Sequence, residues 1–143
     1  MSELENLYQE VIMRHNDSPQ NYYKPESAAF SLDAYNQFCG DHFQIYFDIE
    51  DGKIKNACFQ GYGCAISKAS TSILVEQIEG KTIAEAKQLY ESFIAAIQEE
   101  PQPQSGIIPK EFLAFQPVQK FPGRKKCATL SWDELSLFLK KSQ

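Results

Sequence analysis

The chain has 143 residues, a net charge of −5, 43% hydrophobic and 23% charged residues. That length suits one domain with a core large enough to need no disulfide staples, and the composition argues against extensive disorder. The negative balance gives no electrostatic pull toward nucleic acid or an anionic membrane, and no apolar run approaches the roughly 20 residues that span a bilayer.

Ser2 and Glu5 form a capping box ahead of Leu4, Leu7, Tyr8, Val11 and Ile12, a helical stripe that should end by Asp17-Ser18-Pro19. This acidic, amphipathic start does not read as a signal or transit peptide, so a cytoplasmic setting is expected, in which the four cysteines stay reduced. A loop rich in Asn, Tyr and Pro comes next, then a short edge strand over 28–32. From His42 to Glu50, Phe43, Ile45, Phe47 and Ile49 alternate with Gln44, Tyr46 and Asp48, which predicts a half-buried strand. Asp51-Gly52 supplies a two-residue hairpin turn, and Lys53 to Gln60 returns as the partner strand.

A helix is expected after Cys64, with Ile66, Ala69, Ile73, Leu74 and Ile78 inward and Gly80 as its stop. Thr82 and Glu85 form a second capping box for a helix carrying Ile83, Ala86, Tyr90, Phe93, Ile94 and Ile97. Pro101, Pro103 and Pro109 break it, and Pro117 and Pro122 punctuate the chain beyond. The stretch 101–121 is therefore expected as loop, with a short helix near Lys110 to Phe115. The last helix carries Leu135, Phe138 and Leu139. Two starts compete for it: Arg124, or Ser131 with Glu134 as an N-cap. These elements predict one α+β domain over 1–143, a small antiparallel sheet of about three strands with helices packed on one face.

Three cysteine segments carry the chemistry: NQFCGD with Cys39 and Asp41, GYGCAIS with Cys64, and GRKKCATL with Cys127. Three thiolates and a carboxylate are a full donor set for a tetrahedral zinc, or a place to hold sulfur or an iron–sulfur cluster. No CxxC pair is present, which excludes a thioredoxin motif and an ordinary zinc finger. The competing reading is that the cysteines are small buried apolar residues.

The hairpin offers a reason for two of them to meet. With Glu50 facing Lys53, an unbroken register carried past the strand ends sets Cys39 opposite Cys64, with Cβ atoms roughly 4.5–5.5 Å apart. Asp41, two residues from Cys39, points to the same side. A disulfide fits that spacing too, although a reducing compartment makes it the lesser reading. Nothing local says where Cys127 folds. Cys64 at a helix N-terminus gains from the dipole, and Arg124, Lys125 and Lys126 put positive charge beside Cys127. A solvated basic face is the plain account of Lys125.

Taken in order, LYQEVIMRH, CGD, DGKI, GYGCAIS, EGKTIAEA and KFPGRKKCATLSW resemble the SufU branch of the IscU/NifU-type iron–sulfur cluster assembly family nearly end to end. The long Pro-rich gap before Cys127 resembles the SufU insertion, near 100–121. Lys126 stands where IscU-type scaffolds carry histidine. Gln37 and Phe38 depart from the family's usual proline and small residue. The resemblance implies a SufU/IscU-like fold and Cys39, Asp41, Cys64 and Cys127 as zinc ligands. It also implies that Cys39 is the thiol accepting persulfide sulfur from a SufS-like cysteine desulfurase, for delivery to a downstream cluster-assembly scaffold.

Two other functions use the same residues. One is a scaffold on which a [2Fe–2S] cluster forms. The other is a non-catalytic, zinc-stabilised adaptor that activates the desulfurase. Around the ligands, Lys126, Arg124 and His42 are candidates for supporting contacts. His15 reads as a capping or surface histidine, Cys58 as incidental, and Trp132 and Phe138 as core.

Overall fold

The computed structural model describes residues 3–19, 21–37, 40–97 and 109–141. Helix α1 (Glu3–Asp17) leads into three antiparallel strands, β1 (Phe30–Asn36), β2 (Asp41–Glu50) and β3 (Lys53–Tyr62), in the order β1-β2-β3. Four helices complete the chain: α2 (Ala65–Ile78), α3 (Ile83–Ala96), the short α4 (Lys110–Leu113) and α5 (Pro122–Lys141), with a 3₁₀ turn over Gln116–Lys120 between the last two. Ser2 and the side chain of Glu5 fall outside the described residues, and with them the first capping box. No helix among the described residues is long and apolar enough to cross a membrane.

The alternation in β2 buries Phe43, Ile45 and Phe47 completely, against helices that cover one face of the sheet. Strand β1 starts later and runs further than expected, to Asn36. Its inward positions are Leu32, Ala34 and Asn36, and the small Ala34 and polar Asn36 hide the period-two pattern in the sequence. The Asp51-Gly52 turn has positive φ at both residues (53° and 76°), the type I′ geometry whose twist suits a tight hairpin.

The hairpin does not keep one register. Glu50 pairs with Lys53 and Asp48 with Lys55, but Tyr46 pairs with Cys58. Between these pairs Phe47 faces both Asn56 and Ala57, a β-bulge with Asn56 in the left-handed region at φ 56°. Asparagine tolerates that conformation where a β-branched residue would not. The carboxylate of Glu79 accepts from both bulge amides, Asn56 N–H at 3.3 Å and Ala57 N–H at 2.8 Å. The shift overturns the unbroken pairing: continued past the strand ends, the observed register sets Gly40, not Cys39, opposite Cys64. Cys39 itself lies outside the described residues.

The capping box at Thr82 is complete, with Glu85 N–H on Thr82 Oγ1 at 3.1 Å and Thr82 N–H on Glu85 Oε1 at 2.9 Å. Helix α5 starts at Pro122, ahead of both expected starts. Proline at the first helical position has no N–H to leave unpaired and its φ is already helical, so it opens a helix as readily as it ends one. Ser131 consequently lies mid-helix and buried. Part of the expected loop is also ordered, the 3₁₀ turn carrying Pro117 at its start. Under it, Trp132 stacks on Phe93 (centroids 4.6 Å apart) and meets Phe112 edge-on, while Phe138 packs against Phe30 and Phe47. Trp132 is core, as the sequence indicates, while Phe138 is half-buried and packs against the core's edge.

Candidate metal centre

Asp41, Cys64 and Cys127 converge, one ligand atom of each lying within 4.8 Å of the others. Three elements deliver them. Asp41 is the first residue of β2, Cys64 is the N-cap of α2, and Cys127 sits in the second turn of α5. Strand parity turns Asp41 inward beside Phe43, leaving it 2% exposed. Its Oδ1 accepts the Cys64 backbone N–H at 3.0 Å. Its Oδ2 is buried and has no hydrogen-bond partner among the described residues.

A buried carboxylate oxygen left bare is costly, so the position calls for a cation or a proton. Cys64 Sγ takes the N-cap role itself, accepting from Ser67 N–H at 3.5 Å. Cys127 is 3% exposed with its thiol toward the Gly123 carbonyl at 3.6 Å.

Gly63 makes room for this arrangement. A Cβ there would lie 2.7 Å from Asp41 Oδ1, 2.7 Å from Ser67 Oγ and 2.8 Å from Phe43 Cε2. Two soft sulfurs, a hard oxygen with an unused lone pair and a cradle kept open by glycine fit a thiophilic divalent metal such as zinc or iron. Cys39, the remaining expected ligand, is outside the described residues.

Arg124 lies against both thiols. Attraction to Cys64 first and Cys127 second, with hydrogen bonds to each, pushes its guanidinium pKa above the ordinary value. It borders a groove of about 940 Å³ shared with Tyr8, Ile12, Ile66 and Phe121, the last 60% exposed. Burial raises the Tyr8 phenol pKa, partly offset by Arg124 and reinforced by Cys64 and Cys127.

His42 is not part of this surround. Adjacent strand residues point to opposite faces, so it leaves Asp41 behind on the core side. Its ring lies on the outer face, edge-on to Tyr35 and Tyr62, with Nε2 2.6 Å from Asp33 Oδ1. Lys126 lines a separate recess with Asn36, Gln37 and Glu134. Cys58 is fully buried, and that burial raises its thiol pKa, which suits an inert core position.

The family whose model is described as "NifU-like N terminal domain" matches residues 7–128. The chain belongs to that family. Along 98% of its length it is 35% identical to the "Zinc-dependent sulfurtransferase SufU" of Bacillus subtilis, covering 94% of that protein. Over 143 residues (99% of this chain, 88% of the relative) it is 33% identical to the "Iron-sulfur cluster assembly scaffold protein IscU" of Streptococcus pyogenes. The crystal structure of FiSufU, a SUF-system protein of Fervidobacterium islandicum AW-1, superposes with a TM-score of 0.82 at 32% identity, covering 93% of this chain and 96% of that one. The three-stranded sheet and its helices are therefore the SufU/IscU fold, and this NifU-like chain is a member of the iron–sulfur cluster assembly proteins.

Sequence reading missed a second polar cluster in this NifU-like domain. His15 is 1% exposed, neither capping nor on the surface. Its Nδ1 is hydrogen-bonded to Ser72 Oγ at 2.8 Å and its Nε2 donates to Glu111 Oε2 at 2.6 Å. Arg14 donates to the same Glu111 oxygen at 2.9 Å, and Glu76 closes the group. Burial, then Glu111, raises the Glu76 pKa. With a guanidinium and an imidazole already on Glu111, the cluster ties α1 to α2 and α4. Only its spacing from the Val11–Ile12 stripe (three and four residues) hinted that His15 turns inward.

Proposed function

We propose that this protein is a zinc-dependent sulfur acceptor that takes persulfide sulfur from a SufS-like cysteine desulfurase and passes it to a cluster-assembly scaffold. The observation that carries the reading is the convergence of Asp41, Cys64 and Cys127 around a bare buried carboxylate oxygen. Cys39 would complete the four donors and act as the acceptor. Bound there, zinc would hold the thiols deprotonated at neutral pH.

A metal-held thiolate would be a poor nucleophile, so Cys39 would have to be released for transfer, a role the family resemblance gives to a histidine of the desulfurase. The freed Cys39 thiolate then attacks the outer sulfur of the enzyme's persulfide, the S–S bond breaks, and the desulfurase cysteine departs as a thiolate. Asp41 holds the Cys64 amide throughout and keeps that ligand's backbone in place. Arg124 lies where it can neutralise a sulfur anion arriving from the groove.

Similarity to IscU of Streptococcus pyogenes supports a second reading, a scaffold for a [2Fe–2S] cluster on the same ligands. One experiment separates these. The purified protein is analysed for metal, incubated with a cysteine desulfurase and cysteine, and its intact mass and tryptic peptides are measured. A sulfur adduct on Cys39, absent in Cys39→Ala, with colourless zinc-containing protein, is the expected result. A stable visible chromophore on addition of iron and sulfide would favour the scaffold. Desulfurase stimulation without an adduct would make the protein an adaptor.

A further inference from the structure

Helix α2 buries four hydroxyls, Ser67, Ser70, Thr71 and Ser72, each at most 1% exposed. Burying a hydroxyl without a partner is unfavourable, so where each bond goes is informative. Ser72 turns to His15 on α1. The other three form a path from the metal centre into the contact between α2 and α5.

Ser67 donates to the Cys64 carbonyl at 3.1 Å and lies 3.5 Å from Cys64 Sγ. Thr71 Oγ1 donates to the Ser67 carbonyl at 2.8 Å and lies 2.7 Å from Ser131 Oγ. Since the only Thr71 hydroxyl proton is already committed, Ser131 is the donor across the helix pair. Ser70 donates to the Ala128 carbonyl at 2.5 Å.

The spacing is regular. Cys64, Ser67 and Thr71 share one face of α2, and Cys127 and Ser131 stack one turn apart on α5. The two thiols form one layer of the contact and the hydroxyl pair forms the next. Ser70 grips α5 at the residue directly after Cys127.

We propose that Thr71 and Ser131, with Ser70, are positioning residues of the metal centre. They set the register of α5 against α2 and thereby the separation of the Cys64 and Cys127 thiols. An all-apolar contact would hold the helices together over a range of slides and rotations, because dispersion has little directional preference. A hydrogen bond at 2.7 Å does not survive such a slide. One residue of slip along α5 displaces Cys127 by about 1.5 Å and turns it by about 100°, whereas a working ligand set tolerates only about 0.5 Å. The proposal rests on the metal-binding reading of the centre.

The test uses the full chain and cobalt(II) and zinc as probes. Thr71→Val, Ser131→Ala, their combination and Thr71→Ser are compared with Ile78→Val, which loosens the other end of α2 without touching a hydroxyl. Zinc affinity is measured by chelator competition, the thiolate and d–d bands by cobalt titration, and stability by thermal unfolding of the metal-free proteins. The combined variant should bind zinc about 10–100-fold more weakly, the range typical of outer-shell losses, with altered cobalt bands and a melting temperature close to that of Ile78→Val. Thr71→Ser should keep the wild-type spectrum. Wild-type affinity and bands in the combined variant would overturn the proposal, as would an equal loss in Ile78→Val. A wild-type protein that binds neither metal would overturn the metal reading and this inference with it.

Discussion

The Asp41 carboxylate uses its two oxygens differently: Oδ1 accepts the Cys64 amide at 3.0 Å, while Oδ2 is buried with no hydrogen-bond partner among the described residues. The same side chain therefore shapes the N-terminus of α2 and, on the proposed metal reading, supplies a donor. The two tasks separate by mutation. Asp41→Asn keeps an acceptor for the amide and removes a buried charge, so the metal-free protein should be as stable as wild type or up to about 1 kcal/mol more so. Zinc affinity should still fall at least about tenfold. Asp41→Ala should lose both, costing about 1 kcal/mol from the unmet amide. Denaturant unfolding of metal-free protein with chelator competition checks both, and unchanged zinc binding in Asp41→Asn would remove Asp41 from the ligand set.

Gly63→Ala should be as harmful to metal binding as loss of a ligand, although it replaces no ligand residue. Its new methyl meets Asp41, Ser67 and Phe43 at 2.7–2.8 Å, so the carboxylate and the Ser67 hydroxyl must move. Overpacking of this kind costs about 1–3 kcal/mol. Zinc content of the purified variant, by elemental analysis, should drop sharply. A stoichiometric zinc complex with wild-type affinity would show that the cradle is roomier than the contacts indicate.

Glu79 holds the bulge amides of Asn56 and Ala57. In Glu79→Ala these two donors lose their acceptor, for an expected cost of about 1–3 kcal/mol. Hydrogen exchange should accelerate first at these two amides. Exchange unchanged there would mean that the strand pairing alone maintains the irregularity.

The capping box gives a pH signature with a definite sign. Hydrogen bonds from Thr82, backbone first and side chain second, lower the Glu85 pKa below its ordinary 4.5. A depressed acid stabilises the fold fully above the unfolded value, and that contribution disappears as pH falls through the folded one. Glu85→Gln should thus lower the melting temperature near neutral pH, with the difference from wild type closing below about pH 4.5. A difference that stays constant down to acid pH would assign the effect to helix propensity instead.

The alternation of β2, the Asp51-Gly52 turn and the Thr82–Glu85 box are legible in the chain because they are local signals, and local physics decides them. The places where the sequence misleads are decided by distant partners. Asn56 reads as an ordinary strand residue until Glu79, the residue that caps the end of α2, is seen to satisfy the amides of the left-handed bulge. His15 reads as a surface residue because its partners, Ser72 and Glu111, are remote in sequence. Pro122 reads as a stop, although proline opens a helix as readily as it ends one. At the metal centre, the hairpin accounts for the meeting of Asp41 with Cys64, while the arrival of Cys127 depends on helix packing that no short motif encodes.

The bulge at Asn56 makes the centre sensitive to chain length as well as to composition. From that point to the end of the hairpin every pair is displaced by one, which sets Gly61 against Phe43 and brings Gly63 beneath Asp41. Smooth out the bulge with every residue kept and the pairing would run straight, so that Tyr62 would come opposite Asp41 and its phenol ring would enter the space the glycines keep clear. Substitutions along β3 can be absorbed one at a time. A single residue inserted between Cys58 and Gly63, with the bulge kept, would leave a paired hairpin whose distal half presents its opposite face, a folded protein in which Asp41, Cys64 and Cys127 are all present and have no place to meet.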